Sequence, residues 1–304
     1  MNLKKFGRAV LSAVMALSVV ACAQQPAKEE TKNEPVSILC PTGAPSLAVL
    51  GAVGDENVTI EYTEGTDLLT AELAKADSAY DIIVAPTNLG TKIYANTQAY
   101  NLEAVLTWGN LYMVGPEGTD LSSANIAAFG EKAVPQLVFK KVYPELNPTY
   151  YASVQEAQQA LLTGKADVAL LAQPVAAATI AKAKEAGKEF TVLSNLQALY
   201  QKTTGNKNIG YPQASLFVKA GNQDKVQNVL SSISTFLTDT KEEAIREKIE
   251  MAGVENLGIP NAEIAVKTWA AQNINYQPAK SCKEDIVSFL QVFGMELPEG
   301  LIME

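Results

Sequence analysis

The chain of 304 residues contains no histidine and only two arginines, Arg8 and Arg246. The absence of histidine excludes Ser-His-Asp and Cys-His catalysis and histidine-based zinc sites, and it removes the most common general base. Catalysis by carboxylates alone stays open, but no acidic pair lies in a recognisable motif. The scarcity of arginine argues against a site that clamps a carboxylate or phosphate. We therefore expect a protein that is not an enzyme and holds no metal.

Cysteine is also scarce, with three residues, and the formal net charge is −9. Cys40 and Cys282 are far apart in sequence and lack the spacing of metal ligands, so they are either two buried thiols or a disulfide formed outside the cytoplasm. The negative charge disfavours a nucleic-acid partner, which requires a basic surface. Neither glycine-rich phosphate motif, GxxxxGKS/T or GxGxxG, is present, and no cofactor is predicted.

The first 21 residues have the pattern of a targeting segment. Basic MNLKKFGR precedes apolar AVLSAVMALSVVA, which is too short and one-sided for a good transmembrane helix. Cys22 follows, and VVAC resembles the lipobox of bacterial lipoproteins, in which this cysteine is lipidated; the alternative is an ordinary secretory signal. A multiply acylated cysteine is a stable anchor. Residues 22–35 are polar and charged, which indicates a flexible tether.

Apolar runs typical of strands alternate with helical patterns along the rest of the chain. The predicted strands are 36–40, 58–63, 80–85, 103–108, 125–129, 167–172, 190–194 and 214–220. The predicted helices are 45–54, 66–76, 88–96, 133–143, 153–163, 174–186, 223–238, 241–251, 261–272 and 283–293. This alternation predicts an α/β fold with largely parallel sheets, followed after residue 220 by a tail that is nearly all helix.

Proline or glycine stands at four strand-to-helix junctions, two before residue 115 and two after it. They are Gly43 to Pro45, Pro86 to Asn88, Gly130 to Pro135, and Pro174. Proline suits the first helical turn and glycine permits a tight turn. Each junction alone is typical of an ordinary capped turn. In pairs they predict two similar lobes facing each other, because ligands bind beyond the carboxyl ends of parallel strands, at helix N-termini.

Five longer motifs extend across the chain: PTGAPSLA (41–48), YDIIVAPTNLGTKIY (80–94), LTWGNLYMVG (106–115), AAFGEKAVPQLVFKKV (127–142) and LLTGKADVALLAQPVA (161–176). Together they resemble the lipid-anchored solute-binding proteins of bacterial ABC importers with the type II periplasmic-binding fold, in the nitrate, sulfonate and thiamine-pyrimidine branch. The resemblance covers nearly the whole chain after the leader. The motifs are more specific for the fold and branch than for the ligand.

The resemblance implies two lobes, each a mainly parallel sheet flanked by helices, with the ligand in the cleft between them. We place lobe 1 at 36–113 and 212–304 and lobe 2 at 114–211, with crossings near 110–116 and 207–214. Both crossings lie in loops rich in glycine and proline. Binding would close the lobes by a hinge, and a membrane permease would recognise the closed form.

The resemblance and the junctions together supply fifteen candidate ligand-binding residues. Those of lobe 1 and its crossing are Thr42, Gly43, Ala44, Ser46, Thr87, Asn88, Trp108, Gly109 and Asn110. Those of lobe 2 and the return crossing are Phe129, Gly130, Glu131, Gln173, Tyr211 and Gln213.

The expected roles of these residues differ in kind. The first loop is expected to offer backbone N–H groups and hydroxyls, while Thr87 and Asn88 are either ligand contacts or helix caps. Trp108 is expected to stack on the ligand, with a place in the core as the alternative. Glu131 either binds a ligand donor or faces water at a helix start. Tyr211 and Gln213 contact either the ligand or only the hinge.

The leading hypothesis is a non-enzymatic monomer that captures a small neutral or heterocyclic ligand for an ABC permease and its ATPase. Its expected place is the outer face of the bacterial cytoplasmic membrane, held by the lipid anchor only. One alternative is a surface sensor that binds ligand without import. Another is an enzyme of the thiamine-pyrimidine type on the same fold, which the lack of histidine disfavours.

Overall fold

The computed structural model of the protein describes residues 34–206 and 208–303. The predicted leader, the predicted lipidation site Cys22 and nearly all of the predicted tether lie outside the described residues. None of the helices in the described part is long and apolar enough to cross a membrane. The same residues contain no cluster of three or more histidine, cysteine, aspartate or glutamate side chains able to hold a metal ion.

The elements alternate between strand and helix for most of the chain. The strands are β1 (Val36–Pro41), β2 (Val58–Thr63), β3 (Ile82–Pro86), β4 (Tyr100–Thr107), β5 (Leu111–Gly115), β6 (Ile126–Phe129), β7 (Thr149–Tyr151), β8 (Val168–Ala172), β9 (Thr191–Asn195), β10 (Ala214–Lys219) and β11 (Ile274–Pro278). The helices are α1 (Ala44–Ala48), α2 (Asp67–Leu73), α3 (Thr87–Thr97), α4 (Val134–Val142), α5 (Val154–Leu162), α6 (Val175–Glu185), α7 (Leu196–Thr204), α8 (Gln223–Thr238), α9 (Glu242–Ala252), α10 (Val254–Leu257), α11 (Ala262–Lys267) and α12 (Lys283–Val292).

The strands form two sheets, and the predicted α/β fold with two flanked sheets is confirmed. The first sheet has the order β11-β4-β10-β3-β1-β2 and the second β7-β6-β8-β5-β9. Parallel pairs join β1 to β2 and β3, and β6 to β7 and β8. Both sheets are mixed, because β10 runs antiparallel to β3 and β4, and β5 runs antiparallel to β8 and β9. In each sheet the strand that arrives from the other sheet is thus an antiparallel one.

All eight predicted strands are present, but β5, β7 and β11 were not predicted. The expectation of a nearly all-helical tail is wrong, since β11 pairs with β4 at the edge of the first sheet. Its sequence INYQP is polar and only partly buried, so it carries little strand signal. Helices α7 and α10 were also missed, and the predicted helix 261–272 ends at Lys267 and resumes as a 3-10 turn, Ala270–Gln272.

The chain passes between the sheets twice. The first connection comprises residues 108–110, ahead of the predicted 110–116, because β5 already belongs to the second sheet. The second connection lies between α7 and β10, and its described residues are 205–206 and 208–213. We keep the names lobe 1 and lobe 2 for the parts built on the first and second sheets, and the division of the chain into two moving lobes remains our proposal.

Helix α12 packs against the cores of both lobes. Ile286 and Leu290 belong to the core around β3 and β4. Phe289, on the same helix, belongs to the core of lobe 2. Cys40 and Cys282 are both free and buried, which confirms their interpretation as two buried thiols.

Candidate functional site

The predicted junctions lie at the ends of the central strands, where the two connections leave one sheet and enter the other. In lobe 1, Ala214 at the start of β10 pairs with Pro86 at the end of β3 and with Thr107 at the end of β4. In lobe 2, Leu111 at the start of β5 pairs with Ala172 at the end of β8. Residues that follow these strands therefore gather around the connections.

Asn110, in the first connection, binds the end of β8. Its side chain is 2% exposed. Its Nδ2 donates to the Gln173 carbonyl at 2.9 Å, and the Gln173 N–H donates to the Asn110 carbonyl at 3.0 Å. The Gln173 side chain is also engaged, since its Oε1 accepts from the Ala177 N–H at 3.2 Å in the first turn of α6. The structure thus brings these two predicted residues together.

Gln197 lies beside them and was not predicted. Its side chain is 1% exposed, and its Oε1 accepts from the Leu111 N–H at 2.8 Å. It stands in the first turn of α7, directly after β9. The strand was predicted but the helix was not, because the junction SNLQ contains neither proline nor glycine. Asn195 caps this helix, accepting from the Ala198 N–H, and would have been the available signal.

Tyr211, in the second connection, is fully buried next to these amides. Its ring lies 5.1 Å from the ring of Tyr200 and stacks on Phe289 at 5.8 Å, measured between centroids. Burial raises the pKa of the Tyr211 hydroxyl well above its ordinary value, and the neighbouring Tyr200 and Tyr112 add to the rise. The phenol is therefore neutral at physiological pH, able to donate or accept.

Gly109 makes room for this arrangement. Its φ is +86°, and a Cβ placed there would lie 2.6 Å from Tyr211 Cζ and 3.0 Å from Gln197 Cγ. Both the conformation and the lack of space require glycine. Gly109 thus acts by letting the ring and the amide approach the connection, rather than as a contact of its own.

Seven polar atoms in this region are buried and have no hydrogen-bond partner among the described residues. Two of them are the Tyr200 hydroxyl and Asn206 Nδ2. The other five are Asn88 Oδ1, Asn110 Oδ1, Gln197 Nε2, the Tyr211 hydroxyl and Gln213 Oε1. Leaving one such group unpaired costs about 1–3 kcal/mol, and folded proteins rarely accept that cost without a reason. Four of the five residues were predicted from the sequence. We call these five residues the amide cluster, and we identify it as the candidate ligand site.

Trp108 occupies the core of lobe 1. It is 2% exposed and packs with Leu102 and Val105. Its indole N–H donates to the Asn275 carbonyl at 3.0 Å, and its backbone N–H donates to the Asn273 carbonyl at 2.9 Å. These contacts favour the alternative interpretation of Trp108 as a core residue, and its role in stacking on a ligand stays a prediction.

The first loop is engaged by the segment around α10. The N–H of Gly43 donates to the Leu257 carbonyl at 2.8 Å, and the N–H of Thr42 donates to the Thr63 carbonyl at 3.0 Å. The Ser46 hydroxyl lies within 2.7 Å of the Gly43 carbonyl and 2.9 Å of the Leu257 carbonyl. Ser46 is fully buried, as Ala44 nearly is. The Gly43 N–H and the Ser46 hydroxyl thus bind the end of α10, and the Thr42 N–H binds the end of β2. A helix as short as α10 gave no signal in the sequence.

Thr87 is likewise a structural link. Its hydroxyl shares a hydrogen bond of 2.7 Å with Ser215 Oγ, and its N–H donates to the Gln213 carbonyl at 3.1 Å. It therefore joins the start of α3 to the start of β10. The neighbouring Asn88 and Gln213 keep their unpaired oxygens, so the amide cluster begins directly beside this link.

The third predicted junction lies at the end of β6. Phe129 is half-buried against lobe 2 apolar residues, and Gly130 has a φ of +73° with no room for a Cβ beside Pro135. Glu131 is exposed, which agrees with the alternative that it faces water at a helix start. A ligand role for these three residues stays a prediction.

No family model matches the chain, and no curated protein sequence matches it. Solved structures do share its fold. An ABC transporter structure from Parabacteroides distasonis has a TM-score of 0.73 at 18% identity, covering 89% of this chain and 99% of that one. The periplasmic aliphatic sulphonate binding protein SsuA from Escherichia coli has a TM-score of 0.61 at 12% identity, covering 89% and 92%.

A third structure is the ligand binding component of an ABC-type import system from Staphylococcus aureus with zinc bound. It has a TM-score of 0.59 at 11% identity, covering 87% of this chain and 94% of that one. At these identities the likeness concerns the fold. It confirms the predicted two-lobed type II periplasmic-binding fold, and the sulphonate-binding structure comes from the branch that the sequence motifs resemble.

Proposed function

We propose that this protein is an extracytoplasmic solute-binding protein that encloses a small uncharged ligand between its two lobes. The observation that carries the proposal is the amide cluster, in which buried polar atoms without partners among the described residues gather at the two connections. A bound solute that pairs with these atoms would offset their desolvation.

The chemistry of the cluster supports an uncharged ligand. Its side chains are four amides and one neutral phenol, which bind by hydrogen bonds and carry no charge. Arg246, the arginine left after the predicted leader, is on α9, where it bonds with Glu263 at 2.9 Å on the surface. A guanidinium clamp for an anionic solute is therefore not expected at the connections.

We propose that the bound form delivers its solute to an ABC permease and its ATPase. Support comes from the fold shared with binding components of such import systems. The lipobox-like VVAC supports a lipid anchor at Cys22 and a place outside the cytoplasmic membrane. The alternatives are a sensor of the same ligand and an enzyme on this fold, and the cluster contains no carboxylate, thiol or imidazole to act as a general base.

Native mass spectrometry of protein purified without refolding tests the binding function. We expect a retained small molecule, lost on mild denaturation. The variant Asn88→Ala/Gln213→Ala removes two unpaired acceptors and should lose the molecule. Asn96→Ala is the matched control, because Asn96 is an exposed amide on the same helix as Asn88 and its side chain donates to the Lys92 carbonyl of that helix.

Small-angle scattering tests closure by the hinge. Adding the released molecule back should decrease the radius of gyration of the wild-type protein and of Asn96→Ala. The double variant should remain unchanged at the same concentration. Protein that retains no molecule and binds none from a concentrated cell extract would contradict the proposed function.

A further inference from the structure

Two members of the amide cluster have a fixed hydrogen-bond polarity. Asn110 Nδ2 donates to the Gln173 carbonyl, so the amide cannot be reversed and its unpaired atom is the acceptor Oδ1. Gln197 Oε1 accepts from the Leu111 N–H, so the second polar atom of that amide is the donor Nε2. Nε2 lies near the Tyr112 hydroxyl but has no partner at hydrogen-bond distance among the described residues. The backbone thus orients one acceptor and one donor.

These two amides are linked through the backbone, because Asn110 directly precedes Leu111, whose N–H donates to the side chain of Gln197. Both side chains are at least nine-tenths buried. The Tyr211 ring adjoins Gln197 over Gly109, and its hydroxyl is a third unpaired group, one that can donate or accept.

A ligand that satisfies this pair must donate to Asn110 and accept from Gln197. An anion such as a sulfonate or nitrate only accepts, so it would leave Asn110 Oδ1 facing oxygen atoms. An ammonium ion only donates, so it would leave Gln197 Nε2 without a partner. A neutral ligand that carries both an N–H and a C=O supplies both groups.

We propose that the protein selects ligands that carry an uncharged N–H beside a C=O, as amides, lactams and cyclic imides do. The N–H donates to Asn110 Oδ1 and the C=O accepts from Gln197 Nε2, with the Tyr211 hydroxyl beside them. This assignment rests on the proposed function, and it makes Gln197 a residue that determines specificity.

Paired probes test the ligand class on the wild-type protein. Succinimide and uracil present the N–H and C=O edge, whereas N-methylsuccinimide and 1,3-dimethyluracil keep the carbonyls and block every N–H. Titration calorimetry should show that at least one N–H probe binds at least tenfold more tightly than its methylated partner. Methanesulfonate and nitrate should neither bind nor displace that probe.

The variant Gln197→Glu tests the residue assignment. The substitution preserves the acceptor for the Leu111 N–H and turns the unpaired donor into an acceptor. It should lower the affinity for the N–H probe at least tenfold. Asn96→Asp, the same change on an exposed site, should bind normally. A thermal melt of each variant shows whether it is folded; if Gln197→Glu is unfolded, the probe pairs on the wild-type protein decide.

Equal binding of a probe and its methylated partner, binding of the anions, or undiminished binding by folded Gln197→Glu would overturn the assignment. Failure of both N–H probes would also overturn it. In each of these cases a molecule retained in native mass spectrometry would leave the solute-binding function standing. A retained molecule without an N–H beside a C=O would reject this ligand class alone.

Discussion

Single residues at the first connection determine how closely the side chains of the candidate site can approach the backbone. Gly109 has no side chain, and the ring of Tyr211 and the stem of Gln197 occupy the space that a Cβ would need. Trp108, one position earlier, is tied down by its indole N–H to Asn275. A residue that must be small therefore stands beside one that must be large.

Gly109→Ala should lower the free energy of unfolding by more than the conformational term alone. The positive φ costs about 1 kcal/mol for alanine, and the clash with Tyr211 adds to it. Gly118→Ala is the control, because Gly118 has a φ of +78° and nothing within 4 Å of the position that a Cβ would occupy. Urea unfolding measures both. Equal losses in the two variants would show that the space over Gly109 adjusts freely.

Trp108→Ala should act on stability first. Removing a large, fully buried aromatic from a core typically costs about 3–5 kcal/mol, and the Asn275 carbonyl would lose its partner. Trp269→Ala should cost less, because Trp269 is only partly buried at the edge of its cluster. Guanidinium unfolding followed by circular dichroism compares the two. A Trp108→Ala protein with wild-type stability would return this residue to the candidate ligand contacts.

At the scale of elements, a buried carboxylate joins β1, β3 and α8. Asp81, just before β3, accepts from the Ser37 N–H at 2.9 Å and from Lys225 Nζ at 2.8 Å and 2.9 Å. Asn222 Nδ2 donates to the same carboxylate at 2.6 Å. Burial by itself would raise the pKa of Asp81, but these hydrogen bonds and the charge of Lys225 outweigh it, and the pKa is lowered from its ordinary value of 3.8.

The depressed pKa of Asp81 predicts a loss of stability in acid. A carboxyl group whose folded-state pKa lies below its unfolded value stabilises the fold fully above the unfolded value, and this contribution falls as the pH drops below about 4. Asp81→Asn should therefore be less stable than wild type at pH 7 and closer to it at pH 3. Urea unfolding between pH 3 and 7 measures the difference. A constant difference across that range would argue against Asp81 as the source.

Helix α12 shows how elements couple the lobes. Its Ile286 lies in one core and its Phe289 in the other. The second connection is bonded to the same helix, since Asn208 Nδ2 donates to Asp285 at 2.6 Å and Ser288 Oγ donates to Asn206 at 2.9 Å. Any movement of one lobe against the other must therefore also shift this helix or its contacts.

On the scale of the whole molecule, the two sheets repeat one plan. In each sheet, the strand that follows a connection from the other sheet runs antiparallel to its neighbours. This strand is β5 in the second sheet and β10 in the first. Because the two connections lie side by side, the Tyr211 N–H bonds to the Trp108 carbonyl at 3.2 Å. Adjacent connections of this kind can bend together as a hinge while both sheets stay intact.

Anchoring also belongs to the whole molecule. We predict that Cys22→Ser releases the protein from membranes or leaves its leader uncleaved, because the proposed lipid would be attached to that sulfur. Ala27→Ser, in the predicted tether, should change neither property. Membrane fractionation and labelling with a radioactive fatty acid measure both. Unchanged labelling and fractionation of Cys22→Ser would reject the lipid anchor.

The sequence by itself determined the α/β class, eight of the eleven strands in the described residues and the junctions that follow four of them. It could do so because apolar runs, proline and glycine act locally, on residues that are near each other in the chain. It also indicated Asn88, Asn110, Tyr211 and Gln213 as candidate site residues. Residues directly after a strand or beside a connection must lie near the strand ends, where the two sheets meet. The short or polar elements β7, β11 and α10 escaped because their stability comes from packing rather than from their own pattern.

Tertiary structure decided which polar groups remain unpaired. Thr87 and Asn88 are adjacent in sequence, yet Thr87 is engaged by Ser215 and Gln213, whereas Asn88 Oδ1 has no partner within the described part of the chain. Gly43 and Ser46 looked like free donors until Leu257, more than two hundred residues later, accepted from both. Gln197 entered the site through a bond to Leu111 across the second sheet. Hydrogen bonds between distant segments depend on where the fold places both partners, and no local pattern records that placement.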